Sequence, residues 1–182
     1  MNARTLILAI LNQQAASGYE IRKMCVEGPY CYFIDISFGS IYPTLARLEA
    51  DGLVTSRVEQ AKGKPDRKVY SVTAAGRAEF VRAMAQPPAR DVFKSEFLLV
   101  AMAAEFSTPE CIAQAVQERT AFLESQVAMI REQIADCDHP GILWVARYGI
   151  HLMKCDLEYL KYHRDDLMAL AASALPERVA AE

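Results

Sequence analysis

The 182-residue chain has no apolar run approaching the roughly 20 residues that span a bilayer, so no transmembrane segment is expected. Its N-terminus, MNARTLILAILNQQ, has one early arginine and a short apolar run but lacks a small-residue cleavage site. It reads as an amphipathic first helix in a cytoplasmic protein. There is no CxxC. The five cysteines, at 25, 31, 111, 137 and 155, are odd in number and scattered, which argues against a disulfide framework and for a reducing compartment. They read as buried or half-buried thiols, with Cys25 and Cys31 left as an alternative redox pair. No nucleophile motif, Gly-rich phosphate loop or paired-carboxylate pattern is present, so neither catalysis nor a cofactor is expected. His151 and Cys155 have the i, i+4 spacing of metal ligands, but no third ligand accompanies them and no metal site is expected.

What is present is a soluble globular composition, 52% hydrophobic and 24% charged, with the charge unevenly placed. Residues 1–85 carry a net +3 and residues 86–182 a net −6, within a total of −3. A basic half joined to an acidic half points to a polyanion meeting only the first.

In that first half, helix one is expected from about Ala3 to Gln13 on the apolar face Leu6, Ile7, Ala9, Ile10 and Leu11. Ser17 and Glu20 fit a capping box for helix two, with Tyr19, Ile21, Met24 and Cys25 inward. The aromatic stretch to Phe38 fits either an extended connection or a short strand. Helix three is expected from about Ser40 to Asp51, with Ile41, Leu45 and Leu48 inward, Pro43 in the first turn and Gly52 as the terminating residue. LVTSRVEQ and KVYSVT read as strands joined by a Gly- and Pro-marked loop, and Thr73 caps a fourth helix. Three helices, a hairpin and a helix give a winged helix-turn-helix over residues 1–86, bounded by QPPAR.

The second half, residues 91–175, reads as all helix. One helix is expected from Phe93 to Phe106, with Phe93, Phe97, Leu98 and Met102 as its core stripe. The next places Val116, Thr120, Leu123, Val127, Ile130, Ile134 and Cys137 at alternating spacings of four and three, a heptad seam. The last repeats the device with Ile150, Met153, Leu157, Leu160, Arg164 and Leu167. Long coiled-coil-like helices of this kind seldom bury their apolar surface alone, so a homodimer is expected. Val116, Leu123, Val127, Ile130, Ile134, Ile150, Met153, Leu157 and Leu160 are its candidate residues. A second stripe, Trp144, Tyr148, His151, Cys155, Tyr159 and Tyr162, suits either packing against the winged domain or a pocket for a flat aromatic effector.

Lys62, Lys64, Arg67 and Lys68 surround the hairpin tip, with Gly63 and Pro65 shaping it. Lys and Arg on duplex DNA release counterions from phosphate, while base edges in the major groove give sequence preference. In a helix-turn-helix the second helix of the motif enters that groove by its N-terminal residues. Here these are Ser40, Tyr42, Pro43 and Thr44, with Arg47 a turn further on.

SGYEIRKM, GSIYPTLARLEADGLV and GKPDRKVYSVTAAG resemble the PadR family of bacterial transcriptional regulators. The resemblance covers residues 5–80 closely and the second half by general pattern. Phe38-Gly39-Ser40 stands where that family usually has Pro-Gly-Thr. The resemblance implies a dimeric winged-helix protein, usually a repressor released by a small molecule, with Tyr42 and the basic wing touching DNA and the last helices forming the dimer. The expected partners are double-stranded DNA with a pseudo-palindromic operator, a second copy of the chain and a small aromatic ligand, and not a membrane. An activator of the same architecture, or an adaptor whose winged domain binds no DNA, are the alternatives.

Overall fold

The computed structural model describes residues 2–26, 28, 30, 38–60 and 66–173. Helix α1 (Ala3–Gln13) begins where the Asn2 side chain accepts from the Thr5 N–H at 3.0 Å, pairing a donor that every helix start leaves open. It buries Leu6, Ile7, Leu8, Ile10 and Leu11. A two-residue strand, β1 (Ala16–Ser17), leads into α2 (Gly18–Val26). The capping box forms. Ser17 Oγ accepts from the Glu20 N–H at 3.3 Å, and Glu20 Oε2 accepts from the Ser17 N–H at 2.8 Å. Ile21 and Cys25 are buried, and Met24 packs against the same core. Tyr19 corrects the expectation of an inward ring, since it is 65% exposed. It lies two residues before Ile21, about 200° round the helix from the buried face.

Helix α3 (Phe38–Ala50) puts Ile41, Leu45 and Leu48 wholly inside. Because it starts at Phe38, Pro43 falls in its second turn rather than its first. The carbonyl left without a helical donor there is that of Gly39, an exposed residue that water reaches. The helix ends in a Schellman turn. The Leu53 N–H donates to the Leu48 carbonyl at 2.9 Å and the Gly52 N–H to that of Glu49 at 3.0 Å, with Gly52 at φ +69°.

Strands β2 (Val54–Glu59) and β3 (Arg67–Val72) pair antiparallel, from Val54 opposite Val72 to Glu59 opposite Arg67. The wing gains a third strand, because β1 pairs with the other edge of β3, Ala16 opposite Tyr70 and Ser17 opposite Val69. Thr73 Oγ1 accepts from the Gly76 N–H at 3.1 Å and starts α4 (Ala74–Met84). Glycine at 76 lets this helix approach the sheet, since a Cβ there would lie 2.1 Å from the Leu53 carbonyl oxygen. One core joins α1, α2, α3 and the sheet. Arg4 ties its periphery, pairing with Asp51 at the end of α3 and with Glu79 on α4, both at 2.6 Å.

The chain divides into two compact units, Met1–Asp91 and Val92–Glu182. In the second, the Ser95 hydroxyl accepts from the Leu98 N–H at 3.3 Å and opens α5 (Glu96–Met102). The backbone leaves the helix at Ala103, and a single 3₁₀ turn (Ala104–Phe106) follows. This corrects the expectation of one helix from Phe93 to Phe106. Capped by Ser95, the helix starts at Glu96, three residues later than expected. Of its four stripe residues only Phe97 packs against the core, while Phe93, Leu98 and Met102 are exposed. Thr108 caps α6 (Pro109–Gln133), and α7 (Pro140–Ser173) returns beside it. Arg119 and Asp156, 2.7 Å apart, fix the two helices in register. Among the described residues no helix is long and apolar enough to cross a membrane.

Candidate nucleic-acid interface

Helix α3 has two opposed faces. With Ile41, Leu45 and Leu48 inside, Tyr42, Pro43 and Arg47 are left exposed, and Ser40 and Thr44 are half-buried. The Thr44 hydroxyl donates to the Ser40 carbonyl at 2.6 Å. Toward a partner Thr44 therefore offers lone pairs and a methyl group rather than a proton. Arg47 has no ion-pair partner among the described residues and keeps its guanidinium for an outside acceptor.

At the wing, Lys62 and Lys64 lie outside the described residues, together with Gly63 and Pro65. Arg67 and Lys68 open β3, and carboxylates hold both. Arg67 donates through Nε and Nη2 to Glu59 Oε2 at 3.0 and 2.8 Å, and through Nη1 to Glu20 Oε1 at 3.0 Å. Lys68 Nζ donates to Glu49 Oε2 at 2.7 Å and sits 5.2 Å from the centre of the Tyr70 ring. The other Glu49 oxygen accepts from the Ser56 hydroxyl. The carboxyls respond in kind. Glu20 is held below its ordinary value, first by the Ser17 N–H and hydroxyl and then by Arg67. Glu49 is lowered by Lys68 and Ser56, and Glu59 by Arg57 and Arg67.

From the sequence alone, none of these three carboxylates is paired with Arg67 or Lys68, and Glu20 is given only its capping role. Glu20 and Glu49 stand 47 and 19 residues from the cations they hold. Glu59 had a local signal, because hairpin register places it directly opposite Arg67.

The remaining candidates lie in the second unit. On α6, Val116, Leu123, Val127 and Ile130 are buried within the chain itself, where α6 packs on α7. Ile134, the C-cap of α6, and Ile150, Met153, Leu157 and Leu160 on α7 are half-buried. The seam therefore belongs first to the hairpin of a single chain. The second stripe of α7 points outward, with Trp144 67%, Tyr148 54% and Tyr159 64% exposed. Trp144 stacks on Tyr148 at 5.5 Å, and His151 Nε2 is 3.8 Å from Cys155 Sγ. The stripe divides between two depressions. Trp144, Tyr148 and His151 line an open groove of about 570 Å³ with Arg147. Tyr159 lines a cavity of about 380 Å³ with Phe93, Phe97, His163 and Arg164. Cys155 and Tyr162 line neither. Of the described cysteines, Cys25 is buried, where burial pushes its thiol up, and Cys137 is half-buried, but Cys111 and Cys155 are exposed, which corrects the expectation of buried or half-buried thiols throughout. Cys31, the proposed redox partner of Cys25, lies outside the described residues.

A model of the transcriptional regulator PadR-like family matches residues 7–82. The probable transcriptional regulator Rv1176c of Mycobacterium tuberculosis is 37% identical over 81 residues, 44% of this chain and 42% of that protein, so the chain spans less than half the length of this curated relative. The PadR-like transcriptional regulator BC1756 of Bacillus cereus is 30% identical, with a TM-score of 0.79 over 92% of this chain and 96% of that one. Bacillus subtilis PadR shares the fold in two crystal structures. Its complex with operator DNA is 20% identical, with a TM-score of 0.75 over 92% of this chain and 98% of that one. Its complex with p-coumaric acid is 19% identical, with a TM-score of 0.67 over 92% and 97%.

Proposed function

The chain belongs to the PadR-like family of transcriptional regulators, which are not enzymes, and from that premise we propose that it is a homodimeric repressor of a pseudo-palindromic operator, released by a small aromatic effector. One observation carries the DNA-binding reading: α3 buries Ile41, Leu45 and Leu48 completely while Tyr42, Pro43 and Arg47 stand outside on the opposite face. A helix anchored in that way can enter a major groove without disturbing its own core. Ser40, Tyr42, Thr44 and Arg47 read base edges. The wing grips phosphate through Lys62 and Lys64, which the sequence puts between β2 and β3, because Arg67 and Lys68 already hold carboxylates. The fold neighbour from Bacillus subtilis binds operator DNA, which supports the same use of the fold here.

The dimer rests on the second unit. Leu98, Leu99, Met102, Trp144, Leu152 and Tyr162 are all more than half exposed and supply apolar surface for such a contact. A second copy covers it, and the half-buried residues of α7 extend the contact. Two winged domains then meet half-sites about one helical turn apart, ~34 Å. For the effector, Trp144, Tyr148 and His151 frame one depression and Tyr159 another, and the p-coumaric acid complex of the fold neighbour supports an aromatic acid as the first compound to try.

Selection of duplexes from a random pool, followed by mobility shift with and without aromatic acids, tests this reading. Enrichment of a pseudo-palindrome that an aromatic acid releases is the expected result. Failure to retain any duplex at low salt would favour a winged-domain adaptor, to which the neutralised Arg67 and Lys68 already lend some support.

A further inference from the structure

We propose that the first turn of α2 is a bracket that sets both DNA-contacting elements: Gly18 places the ring of Tyr42 on α3, and Glu20 places the wing strand through Arg67. The proposal rests on the DNA-binding reading above and gives roles to Gly18 and Glu20, which touch no DNA in it.

The first half of the bracket is steric. Gly18 is buried, and a Cβ added to it would lie 2.6 Å from Tyr42 Cε1 and 3.2 Å from Cδ1. The Tyr42 ring therefore rests against the bare backbone at the start of α2. The ring is the far end of a side chain that is 54% exposed, so a methyl group at 18 would swing it aside rather than break the core. Such a methyl group would redirect a base-reading side chain at little cost to the fold.

The second half is electrostatic. The two Glu20 oxygens do separate work. Oε2 accepts from the Ser17 N–H at 2.8 Å and hydroxyl at 2.7 Å, and Oε1 accepts from Arg67 Nη1 at 3.0 Å. Ser17 also pairs with Val69, two residues beyond Arg67 on β3. Arg67 also donates from Nε and Nη2 to Glu59, which itself binds Arg57 on β2. Its guanidinium thus lies between α2 and both wing strands, engaged on two sides. Arg67 is on this account a positioning residue, and its effect on DNA passes through the angle of the wing.

The test uses the full chain, a duplex selected by the wild-type protein and a scrambled duplex of the same composition. Gly18→Ala is expected to cut the preference for the selected duplex about tenfold, the scale of one good base contact, leaving affinity for the scrambled one within about twofold. In a Tyr42→Ala background the same change should add less than about twofold, since the two residues act as one unit. Arg67→Gln is expected to weaken both duplexes alike without lowering the salt slope, and to be non-additive with Glu20→Gln. Loss of both affinities together in Gly18→Ala, or its full effect persisting without Tyr42, overturns the steric half. A salt slope reduced by about one in Arg67→Gln makes Arg67 a direct phosphate contact and overturns the electrostatic half. These results sink the bracket alone, because the wild-type protein still prefers its selected duplex. A wild-type protein that retains neither duplex sinks the DNA-binding reading and the bracket with it. Should Gly18→Ala fail to fold, Tyr42→Phe and Tyr42→Leu replace it. The bracket requires Phe, which keeps the ring in its seat, to retain more of the preference than Leu, and equal losses overturn it.

Discussion

The two units treat apolar surface in opposite ways. The winged unit gathers fifteen buried residues into one core drawn from three helices and all three strands. The helical unit has a central cluster of only four, and its longest helix has one buried residue, Ala171, among thirty-four. The first unit has a continuous core of its own, although Tyr19, Tyr42, Val58 and Val81 stay more than half exposed on it. The second is a helical hairpin whose longest helix stays almost wholly exposed or half-buried. That contrast fits the proposed division of roles, base reading by the first unit and self-association through the second.

The sharpest break of that contrast comes from the closed core. Leu45→Ala, at a position with no exposure, should cost about 3 kcal/mol in denaturant unfolding, independent of protein concentration. Trp144→Glu with Tyr148→Glu should instead leave unfolding of the winged unit unchanged and weaken self-association about a hundredfold, read by sedimentation across a dilution series. Gly76→Ala drives a methyl group onto the Leu53 carbonyl and should cost about 2 kcal/mol, again only in the winged unit. Arg4→Ala removes two partly exposed ion pairs and should cost about 1 kcal/mol or less, diminishing further in salt. The smallest effect is the dependence on acid. Glu20, Glu49 and Glu59 are all held below 4.5 in the folded chain, so near that pH the unfolded chain binds more protons. Their stabilisation is full above pH 4.5 and is lost as pH falls through the lowered values. Glu20→Gln should flatten that loss in urea midpoints compared between pH 7 and pH 4.

What the sequence revealed follows the same division. In the winged unit the local signals were strong: Ser17 with Glu20, Gly52 after α3, Thr73 before α4, and Ile41, Leu45 and Leu48 at helical spacing. Each is a contact within a few residues, which a linear pattern records. Strand β1 escaped because two residues have no alternation to detect. Tyr19 was misplaced because an aromatic ring in a first turn looks apolar whichever way it points. The carboxylates on Arg67 and Lys68 depend on how the wing folds back on α2 and α3, and charge counting cannot supply that. In the helical unit the heptad spacing was plain, but its partner was not. Val116, Leu123, Val127 and Ile130 fit a seam between chains and a seam within one equally well, and the fold uses them within one.

The central claim is that α3 reads bases while the wing tip holds phosphate. Binding of the selected and scrambled duplexes measured from 50 to about 200 mM salt tests it most directly, the range over which phosphate contacts show. The account predicts that Lys62→Gln with Lys64→Gln lowers both affinities equally and reduces the salt slope by about two, while Tyr42→Ala keeps the slope and loses sequence preference. Identical behaviour of the two variants, or a wild-type protein indifferent to salt, would contradict it.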